Sequence, residues 1–195
     1  MQICARVMFL THRPTSSEIE NFLSHSRGLP LSYDPVGIAR SGGAGFRFDT
    51  ASAVIGKGNA AFGLAQRALQ EWRQFELGWV ELFPHHAPAE PGTVVAVGVH
   101  HLGLWSLNGC RIVYSVGDER SSFGFAYGTL TNHAEMGEEI FEVSITESDD
   151  VIYRISAASK PRALLARIGY PYTRFCQSRF RRDSLAAMEH AIDSR

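Results

Sequence analysis

Ser122-Phe123-Gly124-Phe125-Ala126-Tyr127-Gly128-Thr129 decides the fold, together with Phe141-Glu142-Val143-Ser144-Ile145 and Val151-Ile152-Tyr153-Arg154-Ile155-Ser156-Ala157. In each run every second residue is apolar or aromatic. That is the period of a strand, whose successive side chains point to opposite faces. Turn-forming residues, Asn132 to Gly137 and Ser148-Asp149-Asp150, separate the runs. Strands this close in sequence, joined by short turns, pair as antiparallel neighbours.

The same period continues towards the N-terminus. Cys110, Ile112, Tyr114 and Val116 line one face of the preceding strand, with a turn at Gly117-Asp118-Glu119. Val95, Val97 and Val99 line the strand before it, with His101 in phase and a turn at Leu107-Asn108-Gly109. Gly78 to Phe83 is a short strand ended by Pro84, and Phe46 to Ile55 alternates weakly.

Outside this run the period changes to 3.6. Asn59 to Phe75 places Phe62, Ala65, Leu69 and Trp72 on one helical face, after a Gly56-Lys57-Gly58 turn with Asn59 as N-cap. Thr15 to Ser26 is a shorter helix, capped by Thr15, Ser16 or Ser17 and ended by Gly28, with loop from Gly28 to Gly45. Lys160-Pro161 opens a helical stretch with Leu164, Leu165 and Ile168 on one face. Gly169-Tyr170-Pro171 breaks or kinks it, and Pro171 starts a helix carrying Tyr172, Phe175, Cys176, Leu185, Met188 and Ile192 inward.

The class is α+β: a curved antiparallel sheet of about six to seven strands, covered by a long C-terminal helix. A sheet with one apolar face needs such a cover, and the two long amphipathic helices supply it. Strong curvature around one helix leaves room for a cavity. The expected organisation is a single domain over 1–195, with N-terminal helix and loop at 1–45, sheet with inserted helix at 46–160, and C-terminal helix at 161–192.

Composition narrows the function. The chain has 195 residues, 45% hydrophobic and 20% charged, which is enough apolar content to fold. Nineteen basic and twenty acidic residues give a net charge of −1 and argue against nucleic-acid binding. The longest apolar run, around Val94 to Val99, is far short of the roughly 20 residues of a membrane span. Arg6 interrupts the apolar N-terminus, so no secretory signal is expected. Cys4, Cys110 and Cys176 are odd in number and widely spaced, which suits a reducing cytoplasm and not a disulfide scaffold or zinc site.

The charge is unevenly spread. Thr129 to Asp150 holds seven acids and no Lys or Arg, whereas Lys160 to Arg195 holds eight basic residues against three acids. The simplest expectation is that Arg174, Arg179, Arg181 or Arg182 pairs with the acidic hairpin. His133, Glu135, Glu138 and Glu139 cluster in that hairpin, with His100 and His101 two strands earlier. Such groups exchange protons or hold metals. Alternation lets Glu139 face inward beside Phe141, where an apolar wall would raise its pKa. Tyr127, Tyr170, Tyr172, Trp79 and Trp105 are amphipathic aromatics placed to line a pocket. Gly56-Lys57-Gly58-Asn59 has the wrong glycine spacing for a dinucleotide fingerprint. There is no Gly-x-Ser-x-Gly nucleophile elbow.

Several motifs resemble an uncharacterised family, domain of unknown function nineteen-ninety. They are Arg13-Pro14-Thr15-Ser16-Ser17-Glu18, Ile55-Gly56-Lys57-Gly58, and Ala68-Leu69 followed by Trp72, Phe75 and Trp79. Further along come Gly128-Thr129-Leu130 with His133, Gly137-Glu138-Glu139 with Phe141, Ser159-Lys160-Pro161, and Gly169-Tyr170-Pro171-Tyr172 with Gln177, Phe180 and Ser184. They span nearly the whole chain in order. The resemblance implies the helix-grip architecture of Bet v 1 and START-like proteins, and with it a small apolar or amphipathic ligand.

The first expectation is therefore a cytoplasmic ligand-binding protein needing no cofactor or metal. Tyr127, His133, Glu139, Tyr170 and Arg174 are its polar handles; Tyr172, Trp79 and Trp105 complete the ligand-binding set. Two alternatives stay open. One is an enzyme in the same cavity with His133 or Glu139 as general acid–base. The other is a protein-interaction module using the basic C-terminal helix.

Overall fold

The computed structural model describes residues 7–161 and 170–193. In chain order the elements are β1 (Met8–Leu10), α1 (Ser16–Arg27), α2 (Ile38–Ser41), β2 (Arg47–Lys57) and α3 (Gly58–Gln70), followed by a 3₁₀ turn (Arg73–Phe75). Then come β3 (Val80–Phe83), β4 (Val94–His101), β5 (Leu104–Gly117), β6 (Ser122–Thr129), β7 (Glu135–Ile145), β8 (Asp150–Pro161) and α4 (Tyr170–Asp193). The expected helical stretch after Pro161, with Leu164, Leu165 and Ile168, lies outside the described residues.

The strands form one antiparallel sheet in the order β2-β8-β7-β6-β5-β4-β3, and β1 adds beside β5. The sheet curls around α4 in the helix-grip arrangement expected from the sequence. One cause of the curl is an irregularity in β5 between Ile112 and Tyr114. A bulge of this kind bends its strand and adds twist. It also shifts the alternation. Cys110 and Ile112 face the concave core, but Tyr114 turns to the convex side and bonds Glu138 there. Val116 pairs with Gly124, between the inward Phe123 and Phe125, so it follows Tyr114 outward. The four residues expected on one face therefore split two and two.

The expected turn at Leu107-Asn108-Gly109 lies in the middle of β5. The chain reverses instead at Leu102 and Gly103, with φ of 50° and 74°. Two positive φ values in a two-residue loop suit the twist of a hairpin.

One end of the concave face is filled. Phe62, Ala65, Leu69 and Trp72 pack with Phe125, Phe141, Tyr153 and Ile155 and with Met188 and Ile192 of α4. Trp72 lies 4.7 Å from Phe125, and Phe75 lies 5.5 Å from Phe141, ring centre to ring centre. The period-3.6 face of α3 is as expected, but its ends differ. Lys57, not Asn59, is the N-cap, and β2 runs straight into α3. At Gly56 a Cβ atom would sit 2.8 Å from the Ala61 Cβ, so this close junction admits only glycine. The helix stops at Gln70, Trp72 takes φ 60°, and its indole donates to the Ala87 carbonyl at 2.7 Å.

The convex face is covered too. Phe22 and Leu23 of α1 pack on Phe83, Ala96 and Leu107. Of the three candidate caps it is Thr15 that caps α1, through a reciprocal box with Glu18. The loop from Gly28 to Gly45, which contains α2, is tied down by buried Glu138. Its carboxylate accepts from Tyr33 Oη (2.7 Å), Tyr114 Oη (2.5 Å), Gly37 N (2.8 Å) and Ala39 N (3.2 Å). No helix among the described residues is long and apolar enough to cross a membrane.

Candidate functional site

At the other end, where the first turns of α4 cross the sheet, the core opens into a cavity of about 430 Å³. Strand alternation builds its floor. Val97, Val99 and His101 come from β4, Ser106 and Asn108 from β5, Tyr127 and Thr129 from β6, and Glu135 and Glu139 from β7. Tyr172, Cys176, Phe180 and Arg181 close it from α4, and Phe75 and Trp79 come from the α3–β3 connection. Those α4 positions recur at spacings of four, four and one, so one helical face lines the chamber.

The walls are mainly apolar, but one side is a connected polar array. Tyr127 Oη donates to Glu139 Oε2 at 2.8 Å. Gln177 Nε2 donates to both oxygens of Glu135, at 2.7 and 2.8 Å, and also approaches Ser159 Oγ at 3.2 Å. Arg174 holds Gln177 in place by donating to its Oε1 at 2.6 Å. Arg174 also grips Asp49 of β2 through two bonds, at 2.5 and 2.6 Å. Arg181 lies 3.6 Å from the same Asp49. His133 faces the cavity, and its Nδ1 accepts the Glu135 N–H at 2.9 Å.

Electrostatics follows from this placement. The Arg174 contact, helped by Arg181 and Arg47, holds the Asp49 carboxyl below its usual range. Burial pushes Glu135 up, against the Gln177 bonds and the Arg174 charge. Glu139 is pushed up to about 7 because burial outweighs its Tyr127 bond and the Arg181 charge; Glu135 and Asp49 add to the rise. Burial lowers His101, as does neighbouring His100. The chamber thus holds a carboxyl group poised between its two protonation states near neutral pH.

Of the residues singled out from sequence, Tyr127, His133, Glu139, Tyr172 and Trp79 line the cavity. Trp79 also donates its indole N–H to Asp183 at 3.0 Å beneath the Arg179 guanidinium. Tyr172 sits at the rim, 37% exposed, with its ring 5.7 Å from His101. Arg174 stands behind the wall and acts through Gln177. Trp105 is not in the lining; its ring stacks on His100 at 5.0 Å. The Tyr170 side chain lies outside the described residues. The Glu138 carboxylate points to the convex face, so of His133, Glu135, Glu138 and Glu139 the fold brings His133, Glu135 and Glu139 to the cavity and leaves Glu138 out.

Among the described residues, the arginines of α4 form ion pairs with acids outside the acidic hairpin. Arg174 and Arg181 meet Asp49, while Arg179 and Arg182 meet Asp183 on their own helix. Two residues central to the array were not singled out as site candidates, Asp49 and Gln177. Asp49 is in phase with the inward Ala51, Ala53 and Ile55, and Gln177 belongs to a family motif.

The chain is 32% identical over 150 residues to a UPF0548 protein of Arabidopsis thaliana, covering 74% of this chain and 72% of that one. It is 29% identical over 209 residues to a UPF0548 protein of Dictyostelium discoideum, covering 96% and 97%. Among solved structures, a hypothetical protein of Helicobacter pylori shares the fold at 9% identity, with a TM-score of 0.56 over 80% of this chain and 92% of that one. The family model described as Domain of unknown function (DUF1990) matches residues 32–187. That match takes in the strands β2 to β8 and most of α4, and the chain belongs to the DUF1990 family.

Proposed function

We propose that this protein binds a small apolar or amphipathic molecule in the cavity between the sheet and α4. The observation that carries the reading is the cavity of about 430 Å³, apolar on most sides with a few fixed polar groups on one. Its volume lies in the range of about 300–1,000 Å³ of small-molecule sites. Phe75, Val97, Val99 and Phe180 receive the apolar body. Tyr127, Glu139 and His133 orient the polar end, and Arg174 acts by fixing Gln177 and Glu135. Burying roughly 200 Å² of ligand apolar surface supplies about 5 kcal/mol at 25 cal/mol/Å², before the cost of immobilising the molecule. Unpaired Cys110 and Cys176 suit a cytoplasmic setting.

The test is thermal denaturation across a library of lipophilic molecules, with Val99→Phe as a cavity-filling control. The expected result is stabilisation by a chemically related subset, lost in Val99→Phe. No stabilisation anywhere in the library would contradict the reading.

Glu139 favours a second reading, an enzyme in the same cavity. A carboxyl group near pH 7 that is bonded to Tyr127 has the properties of a general acid–base. Turnover of a bound ligand, lost in Glu139→Gln with binding retained, would establish it. The interaction-module reading has less support, because all four α4 arginines named above meet an acid within the chain.

A further inference from the structure

Among the described residues, the positive charge of the polar wall is spent on one of its three carboxylates, Asp49, Glu135 and Glu139. The guanidiniums of Arg174, Arg181 and the exposed Arg47 all meet Asp49, at 2.5, 3.6 and 3.7 Å. Glu135 is satisfied by the amide of Gln177. Glu139 receives only the neutral Tyr127 hydroxyl on Oε2; among the described residues none donates to Oε1. Of the two histidines of the chamber, His133 uses Nδ1 to accept the Glu135 N–H, and burial disfavours the charged form of His101. The remaining groups near Glu139, the Cys110 thiol and the Tyr153 hydroxyl, are held in their neutral forms by burial.

A carboxylate enclosed by protein with an open oxygen facing an apolar chamber is costly unless something positive meets it. We propose that the ligand of this cavity is an amphipathic monocation, with an ammonium group against Glu139 Oε1 and an apolar chain towards Val97, Val99 and Phe180. The positive charge meets the Glu139 carboxylate, which has only a neutral donor, and one N–H fills the open acceptor site. A fatty acid would instead add a fourth carboxylate. A neutral alcohol would fill the acceptor site but leave the charge.

The inference rests on the ligand-binding reading above, and one experiment separates the two. Decylamine, decanol and decanoate are titrated calorimetrically at pH 8 into the wild-type protein and Glu139→Gln, an isosteric change that keeps an acceptor for Tyr127. The amine is expected to bind at least tenfold more tightly than the alcohol, with decanoate weakest. In Glu139→Gln the amine and the alcohol should come within about twofold of each other. Equal binding of amine and alcohol to the wild type, tighter binding of decanoate, or an amine preference that survives Glu139→Gln overturns the inference and leaves the apolar site standing. Failure of all three to bind counts against the cavity reading itself. Nuclear magnetic resonance of the Trp79 indole N–H, which borders the site, provides a second readout. It should shift on addition of amine in the wild type, and an unmoved signal during heat release places the amine elsewhere and overturns the inference.

Discussion

Glu139→Gln should stabilise the protein, and the gain should grow with pH. The wild-type carboxyl is lifted from 4.5 to about 7, chiefly by burial. Every tenfold change in proton affinity is worth about 1.4 kcal/mol, so the full difference is about 3 kcal/mol. A folded-state pKa above the unfolded one gives stability that is complete below pH 4.5 and lost as pH rises through 7. Glutamine is neutral throughout and can still accept the Tyr127 hydroxyl. The variant should therefore match the wild type near pH 4.5 and exceed it by about 3 kcal/mol at about pH 8.5. For a chain of this length that is roughly 6–12 °C in Tm. Urea unfolding of both proteins at unit intervals across this pH range measures the difference directly, and groups common to both cancel. A difference that is flat with pH, or a variant less stable at the alkaline end, would refute the placement of Glu139 in a dry wall.

Other substitutions test the scaffold. Asp49→Ala leaves Arg174 and Arg181 without their carboxylate, and breaking a largely buried pair of this kind costs about 3–5 kcal/mol; urea unfolding at neutral pH reads the loss. The wild-type advantage should shrink as pH falls through the depressed Asp49 pKa, the opposite sense to Glu139. Glu138→Ala removes the acceptor of two hydroxyls and two amides, so hydrogen exchange at Gly37 and Ala39 should quicken by at least about tenfold while the concave core stays protected. Thr15→Ala removes the α1 cap and should cost about 1 kcal/mol by the same unfolding assay, without changing ligand binding.

Much of this architecture is legible in the sequence, for a physical reason. The concave face is buried along most of its length, so Phe123, Phe125 and Tyr127, then Phe141 and Val143, then Tyr153 and Ile155 must alternate with residues of the opposite face. The same parity places Glu139 inside. What escapes depends on partners distant in sequence. The shift at Ile112/Tyr114 exists only relative to β6, so period alone carries Tyr114 to the wrong face. Asn108-Gly109 has the composition of a turn, yet Asn108 is buried, donating to the Val97 carbonyl at 3.3 Å and Ser106 Oγ at 3.1 Å. With the reversal misplaced there, nothing indicates that Trp105 falls on the opposite parity from Ser106 and Asn108, and so misses the cavity. The partner of Arg174 is hidden because β2 lies beside β8, more than a hundred residues away in sequence. Charge blocks in the sequence point to the hairpin instead.

The central claim is that the chamber beneath α4 holds a small molecule. Native mass spectrometry of the protein taken from its own cells tests this most directly, run beside Val99→Phe. The account predicts a copurifying mass adduct of one small molecule per chain on the wild type, absent from the filled variant. A bare wild-type chain, or an adduct that Val99→Phe retains in full, would contradict it.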